Sequence, residues 1–371
     1  MKRGGVMHVI DSLAAGGTER VAVNLANHLP RDKYEVHLCA TRTGGALADL
    51  VAADVGMLIL GRRSRFDLDA VRRLSAYIRQ HDIRLLHAHG SSVFTALAAT
   101  VLRPNVKVVW HIHAGRLAEQ RHKLSPYWLL AHRVQSTIVV SEPLAHWSQH
   151  TLGIPADQLW YIPNFALAEN VGEHSKESQT VVLGQPGTRI VCVANLRPQK
   201  DHLTLINALA KVREQVPDVH LLLVGATSVK SYVERVEQEI VQHDLARNIT
   251  LMGEQSDVFA ILEKCDIGVL SSISEGLPLA LIEYGMAGLA SVATEVGQCR
   301  EVLDSGRTGI LVPPSSPDAL ADALLRLLMS AELRKQYGGR FRSHVQTRYS
   351  AGRVISQVCC VYDTVLTGNR P

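Results

Sequence analysis

Short β-branched and apolar runs alternate with longer helical patterns along this sequence, stop at one polar stretch, and then resume. In the first half the strand candidates are Val6–Ile10, Tyr34–Ala40, Leu85–His89, Val106–His111 and Thr137–Val140. Helical patterns lie between them, clearest over Thr18–Leu29 and Asp67–Gln80. In the first, Thr18 reads as the N-cap and Val21, Leu25 and Leu29 recur every four residues. Strand, helix and strand in succession require right-handed crossovers, and therefore a parallel sheet. From Ala166 to Thr188 the sequence turns polar and loses its period. The alternation then restarts, with strands expected at Arg189–Val193, Val219–Val224, Ile249–Met252, Ile267–Leu270 and Ala290–Thr294. Helices are expected at Leu203–Gln215, Ser231–His243, Pro278–Ala287 and from about Ala319 to Met329 and beyond. The fold class is α/β: two Rossmann-like, doubly wound domains facing a central cleft. The division read from the sequence is an N-terminal domain over 1–165, a linker over 166–188 and a C-terminal domain over 189–349. A tail over 350–371 is a candidate to pack back on the first domain. A length of 371 residues suits two such domains.

Composition narrows the class further. The chain is 46% hydrophobic and 20% charged, which is globular. No apolar run reaches the roughly 18 to 20 residues that span a bilayer. The short apolar stretch Val6–Ile10 reads as a strand rather than a secretory signal. The six cysteines, at 39, 192, 265, 299, 359 and 360, show no C-x-x-C spacing and read as small buried hydrophobes in a reducing compartment. The expected location is the cytoplasm. The net charge of +4 hides an asymmetry: residues 1–165 hold 19 Lys/Arg against 12 Asp/Glu, and residues 166–371 hold 20 against 23. Twelve of the 17 histidines fall in the first half. Basic clusters at Arg62, Arg63 and Arg65, at Arg72 and Arg73, and at Arg116, Arg121 and Lys123 form either a solvated face or a surface for an anionic partner such as a membrane. Nucleic acid is not expected, because aromatics are 5% of the chain and do not interleave with the basic residues.

Three loops carry candidate chemistry. Ser274-Glu275-Gly276-Leu277-Pro278 follows the strand Ile267–Leu270, so it lies at a strand's C-terminal end, where open α/β sheets bind ligands. Pro278 suits a first helical turn, whose free amides attract an anion. Glu283 lies farther along that helix among Leu279, Leu281, Ile282, Met286 and Ala287. An acid on so apolar a helix needs a partner, either a ligand or a structural cation. The second loop, Asn195 to Asp201, places Arg197 and Lys200 after another strand, as a diphosphate clamp or as solvated charges. In the third, Gly16-Gly17-Thr18 follows the first strand and opens a helix, which allows close backbone approach to a ligand.

Together these segments resemble the retaining glycosyltransferases of family 4, glycosyl transferases group 1, which have the GT-B fold. Glu275 and Glu283 match that family's E-x7-E motif. Further likenesses are Gly16-Gly17-Thr18-Glu19-Arg20, Ile162-Pro163-Asn164, Leu196 to Asp201, Leu223-Val224-Gly225 and Gly306 to Val312. The resemblance implies a nucleotide-diphosphate sugar as co-substrate, with UDP favoured over GDP, and no further cofactor. It implies that Arg197 and Lys200 neutralise the diphosphate and that Glu283 binds the ribose. Glu275, with Gly276, Leu277 and Pro278, would meet the sugar. One position departs from the pattern: many members carry Arg where Asn195 stands, so Asn195 is a cleft candidate and Arg197 an alternative source of the charge.

His87 and His89, and His111 and His113, end strands in H-x-H pairs, each pair on one face. Such pairs suit a zinc site, a hydrogen-bonded structural role or a place in the cleft. No carboxylate is placed to complete a metal site, so none is expected. The resemblance assigns His113 to the reacting sugar and makes His89 and His111 neighbouring cleft residues. It implies transfer with retention of configuration, without metal, to a saccharide or lipid-linked acceptor. Cell-surface polysaccharide or glycolipid synthesis is the expected setting, in the cytoplasm or at the membrane's inner face. Two other readings remain open from the sequence: a sugar-nucleotide 2-epimerase on the same fold and a non-catalytic sugar-nucleotide-binding module. A glycogen-phosphorylase-like enzyme would need a pyridoxal-binding lysine and usually a longer chain.

Overall fold

The computed structural model describes residues 4–14, 16–64, 67–113, 126–165, 183–255 and 257–368. Most of the linker read from the sequence, and Arg65, Arg116, Arg121 and Lys123, lie outside the described residues. The chain forms two compact units: Met1–Asn164 with Ala351–Pro371, and Phe165–Ser350.

The first unit is built on a parallel sheet of β1 (Gly4–Ser12), β2 (Tyr34–Thr43), β3 (Gly56–Ile59), β4 (Ile83–His89), β5 (Lys107–Ile112), β6 (Ser136–Val139) and β7 (Leu159–Tyr161), in the order β3-β2-β1-β4-β5-β6-β7. The central strands are buried on both faces, with Val6, Met7, Val9, Leu85, Leu86 and Val109 fully enclosed. This is why they read as continuous apolar runs rather than alternating ones. An amphipathic crossover helix buries a single stripe. In Leu68–Gln80 the stripe is Ala70, Leu74 and Ile78, and Asp67 caps the first turn by accepting from the Ala70 amide at 3.0 Å. The helix at Gly17–His28 starts one residue before the expected cap: Gly16 is its N-cap and Thr18 already lies inside the first turn. The segment after 350 is a helix, Ala351–Thr367, which packs on β4 and β5. Tyr34 donates to Asp363 at 3.0 Å, and its ring meets Tyr362 edge-on at 5.7 Å.

The second unit repeats the plan with β8 (Arg189–Val193), β9 (His220–Val224), β10 (Ile249–Gly253), β11 (Ile267–Leu270), β12 (Ala290–Thr294) and β13 (Ile310–Val312), in the order β10-β9-β8-β11-β12-β13. The strand order reverses between β8 and β11, so the loops after these neighbours lead to opposite faces and open a crevice at their C-terminal ends. Tyr284 holds that junction from below. Its hydroxyl accepts from the Val193 amide at 2.7 Å and donates to the Val269 carbonyl at 3.2 Å. A Cβ on Gly268 would stand 2.5 Å from the Tyr284 ring, so only glycine lets the helix Leu279–Ala287 lie so close.

Three strands were not legible in the sequence. β3, β7 and β13 are three or four residues long, and β3 and β7 are edge strands with half-open faces. So short a run shows little period. The polar helix Ala331–Arg348 buries only Gly338, Phe341 and Val345, which is too sparse a stripe to read in advance.

Candidate active site

Two of the sequence-derived loops come together at the strand-order reversal of the second unit. The loop after β8 contains Asn195, Arg197 and Lys200; the loop after β11 contains Ser272 to Pro278. They are bonded to each other. The Ile273 amide donates to the Gln199 carbonyl at 2.9 Å, and Ser271 Oγ donates to the Lys200 carbonyl at 2.9 Å. At the centre Lys200 Nζ lies 2.6 Å from Glu275 Oε1, which also accepts from Ser272 Oγ at 2.6 Å. An ammonium has three donors, so the pair leaves Lys200 hydrogens for an anion. The loop after β12 closes over the same place: the Gln298 amide donates to the Gly276 carbonyl at 3.0 Å. Gly297, at φ +51°, lies so close that a Cβ would stand 2.2 Å from the Glu275 carbonyl oxygen.

The remaining members of this loop set differ in what they offer. Arg197 is exposed and makes no side-chain bond among the described residues, so its guanidinium is available to a ligand. Asn195 is engaged: its Oδ1 accepts from the Ala226 amide at 2.9 Å, while the Leu196 amide donates to the Ala226 carbonyl. Asn195 therefore braces the loop against the turn after β9, and that use was not visible in the sequence. Leu277 and Pro278 are buried and fix where the loop enters the helix. Pro278 is the N-cap rather than the first helical residue. Glu283, 9% exposed, is a bonded member of a helix buried nearly all round.

In the first unit, Gly16 and Gly17 open the helix after β1. A Cβ on Gly16 would meet the Glu19 carboxylate at 2.3 Å. The H-x-H pairs stand on one face, as alternation requires, and the register joins them to a fifth ring. His8 on β1 is level with His87 on β4, and His89 is level with His111 on β5. The rings stack: His87 on His89 at 4.5 Å and His111 on His113 at 4.0 Å. Burial holds His8 and His113 down to about 3; the Arg31 charge adds to this at His8, and the Asn164 side chain opposes it at His113. Burial, followed by the other rings, places His87, His89 and His111 well below the ordinary range. The five are neutral near pH 7. Two triads, His8/His87/His89 and His89/His111/His113, bring ligand nitrogens within 4.8 Å of one another, as does Glu35/His37/His81. In the five-ring cluster most of those nitrogens are already hydrogen-bonded within the column. His8 and Tyr362, which complete the column, were missed by sequence reasoning. Only the strand register and the return of the C-terminal helix reveal them.

Arg62 needs a correction. Its side chain is only 8% exposed and reaches Asp11 at 3.4 Å, and Asp11 also accepts from Thr41 at 2.8 Å and from Ser91. It belongs to a partly buried polar knot at the end of β1, not to a solvated basic face. Arg73 is also engaged, by Asp69 and by the Leu60 carbonyl.

Comparison with known proteins agrees with this geometry. Residues 15–166 match the family described as Glycosyltransferase Family 4, and residues 187–330 match Glycosyl transferases group 1. The chain is 27% identical to the phosphatidyl-myo-inositol mannosyltransferase of Mycobacterium tuberculosis, over 82% of this chain and 79% of that protein. It is 23% identical to the N-acetyl-alpha-D-glucosaminyl L-malate synthase of Bacillus anthracis, over 96% of each. Among solved structures, Anabaena Alr3699/HepE in complex with UDP and glucose superposes with a TM-score of 0.81 at 18% identity, covering 98% of this chain and all of that one. WaaG, a glycosyltransferase involved in lipopolysaccharide biosynthesis, gives 0.73 at 13%, covering 98% and 100%. With one match on each side of residue 180 and both units wound as parallel α/β sheets, the chain belongs to the family 4, group 1 glycosyltransferases of GT-B fold.

Proposed function

We propose that this glycosyltransferase moves a sugar from a nucleotide-diphosphate donor, a UDP-sugar in preference to a GDP-sugar, to a hydroxyl of a saccharide or lipid-linked acceptor, with retention of configuration and without a metal. The observation that carries the reading is the Lys200–Glu275 pair at the strand-order reversal, with Arg197 open beside it on the same loop. Arg197 and Lys200 offset the charge that develops on the departing diphosphate, which is usually the largest catalytic contribution. Glu283 holds the ribose. Glu275, with the backbone of Gly276 and Leu277, meets the sugar, and Gly16 and Gly17 give the ligand a side-chain-free approach. His113 hydrogen-bonds a sugar hydroxyl. The acceptor oxygen bonds to the anomeric carbon on the face from which the phosphate leaves, and its proton passes to a phosphate oxygen. A double displacement would need a carboxylate nucleophile beneath that carbon, and Glu275 is engaged by Lys200 and Ser272.

A relative named as a phosphatidyl-myo-inositol mannosyltransferase and a fold neighbour holding UDP and glucose support a glycolipid or polysaccharide setting. The reaction takes place on the cytoplasmic side, at the membrane surface when the acceptor is lipid-linked. No helix among the described residues is long and apolar enough to cross a membrane. The test is a panel of UDP- and GDP-sugars incubated with the protein, with and without chelator and candidate acceptors, the product's anomeric configuration being read by NMR. Retained configuration, unaffected by chelator, is expected. An inverted product or chelator-sensitive turnover overturns the mechanism. Conversion of the donor alone into its 2-epimer replaces transfer with epimerisation.

A further inference from the structure

A second group of ligand-bearing side chains lies in the first unit, toward the N-terminal ends of its strands. Glu35 and His37 stand two residues apart near the start of β2, beside Gly5 and Met7 of β1, so alternation puts both on one face. His81 is the C-cap of the helix Leu68–Gln80, which runs back to that edge of the sheet. Gly16 and His113, by contrast, follow the C-terminal ends of β1 and β5. One ligand atom from each of Glu35, His37 and His81 lies within 4.8 Å of the other two. The His81 ring is 4.9 Å from that of His37, and its nitrogens make no hydrogen bond among the described residues.

His37 is built into this place. Its side chain is 4% exposed, and its Nδ1 lies 3.1 Å from Tyr77 Oη. Gly56 is its neighbour on β3, where a Cβ would stand 2.2 Å from that nitrogen, so glycine makes room for the ring. The other nitrogen, Nε2, is buried without a hydrogen-bond partner among the described residues, and Glu35 Oε1 faces it at 3.5 Å. A hydrogen bond would draw that pair to about 2.7–3.2 Å. A tetrahedral ion bound by both at about 2.0–2.1 Å would part them by about 3.4 Å. Burial, and after it the His81 charge, lowers the His37 pKa against the pull of Glu35, which keeps a lone pair for a metal. With Nε2 bare, Nδ1 donates to Tyr77, the outer partner that a metal-binding histidine needs. The helix C-terminus also favours a cation.

We propose that Glu35, His37 and His81 form a zinc site: His37 Nε2, a His81 ring nitrogen and a Glu35 oxygen bind the ion, and water fills the fourth position. Two imidazoles and a carboxylate are a zinc donor set, whereas magnesium prefers oxygen alone. The half-open Glu35 and His81 side chains close the remaining distance. The ion pins the helix to β2 and takes no part in glycosyl transfer, so the site does not rest on the proposed function.

The test uses the full chain stripped of metal and dialysed at neutral pH, with zinc chloride as the probe. Zinc at about 100 times its Kd should raise the unfolding transition by about 5 °C, and magnesium chloride should leave it unmoved. His81→Ala and Glu35→Gln, both outside the core, should each weaken zinc binding in calorimetric titration by more than about a hundredfold. Tyr77→Phe removes only the group that orients His37 and should weaken it by about tenfold. Cobalt(II) chloride in place of zinc should give the visible bands of a four-coordinate site, lost in His81→Ala. The absence of a zinc-induced rise, an equal response to magnesium, or zinc binding undiminished in either His81→Ala or Glu35→Gln overturns the site. Capture of zinc by the five-histidine column would show itself as that undiminished binding.

Discussion

At the scale of single residues, Lys200 and Glu275 form a charge pair at the one place in the second sheet where neighbouring strands send their loops apart. Because Lys200 is assigned both to hold Glu275 and to meet the diphosphate, its loss acts twice. Lys200→Ala should lower kcat by about a hundredfold or more in a donor-hydrolysis assay, in the range seen when a donor to developing charge is removed. Lys200→Arg should retain part of it. Asn195→Ala should act differently, weakening donor binding through a loosened loop, because its side-chain oxygen braces the Ala226 amide. The histidine column gives a pH prediction. His8 is fully buried, and its folded value of about 3 lies below the ordinary 6.5, so the unfolded chain binds more protons as pH falls between those limits. Stability is undiminished above about 6.5 and declines through that window. At about pH 5 His8 alone costs about 2 kcal/mol. Thermal unfolding followed from neutral pH to about pH 5 should show a transition that moves steadily lower; one that does not move would refute the buried neutral ring. Glu275 and Glu283 were legible because a strand, a loop and an apolar helix gave their spacing a place. His8 and Tyr362 were not, since the contacts joining them span 354 residues of sequence.

At the scale of elements, the helix Leu279–Ala287 shows why a strongly apolar pattern can carry an acid. The helix lies in the interior, with Tyr284 under the sheet junction and Gly268 yielding room for its ring. Gly268→Ala should destabilise the chain by about 1 to 3 kcal/mol in chemical denaturation, as overpacking does, and should also disturb the loop carrying Glu275. The strands with strong β-branched runs, such as β8, β11 and β12, fall at the residues expected from the sequence, because burial on both faces leaves little freedom in composition. The short edge strands and the polar helix Ala331–Arg348 escaped because neither buries enough to impose a period. The helix cap at Gly16 fell two residues from expectation and that at Pro278 one, at the ends where local signals are weakest.

At the scale of the whole chain, the division is not colinear with the sequence: the second unit is one continuous stretch, Phe165–Ser350, and the first is completed by the segment after it. The fragment 165–350 should therefore fold alone with a cooperative transition. Residues 1–164 expressed without Ala351–Thr367 should show loosened tertiary structure by near-UV circular dichroism, because Tyr34 and His87 lose the partners that Asp363 and Tyr362 provide. The charge asymmetry counted from the sequence survives as arithmetic, but Arg62 is committed to Asp11, so reversing its charge would test stability rather than surface binding.

The return of the C-terminal helix also sets an order in time. On the ribosome domains generally form as they emerge, at roughly 5 to 20 residues per second, so the first unit waits roughly 10 to 40 seconds for the helix that completes it. The second unit, begun later, has all its residues first. Biosynthesis thus reverses the order of the two units. Until the Tyr362 segment arrives, the nascent first sheet must keep its histidine face from collapsing onto something else.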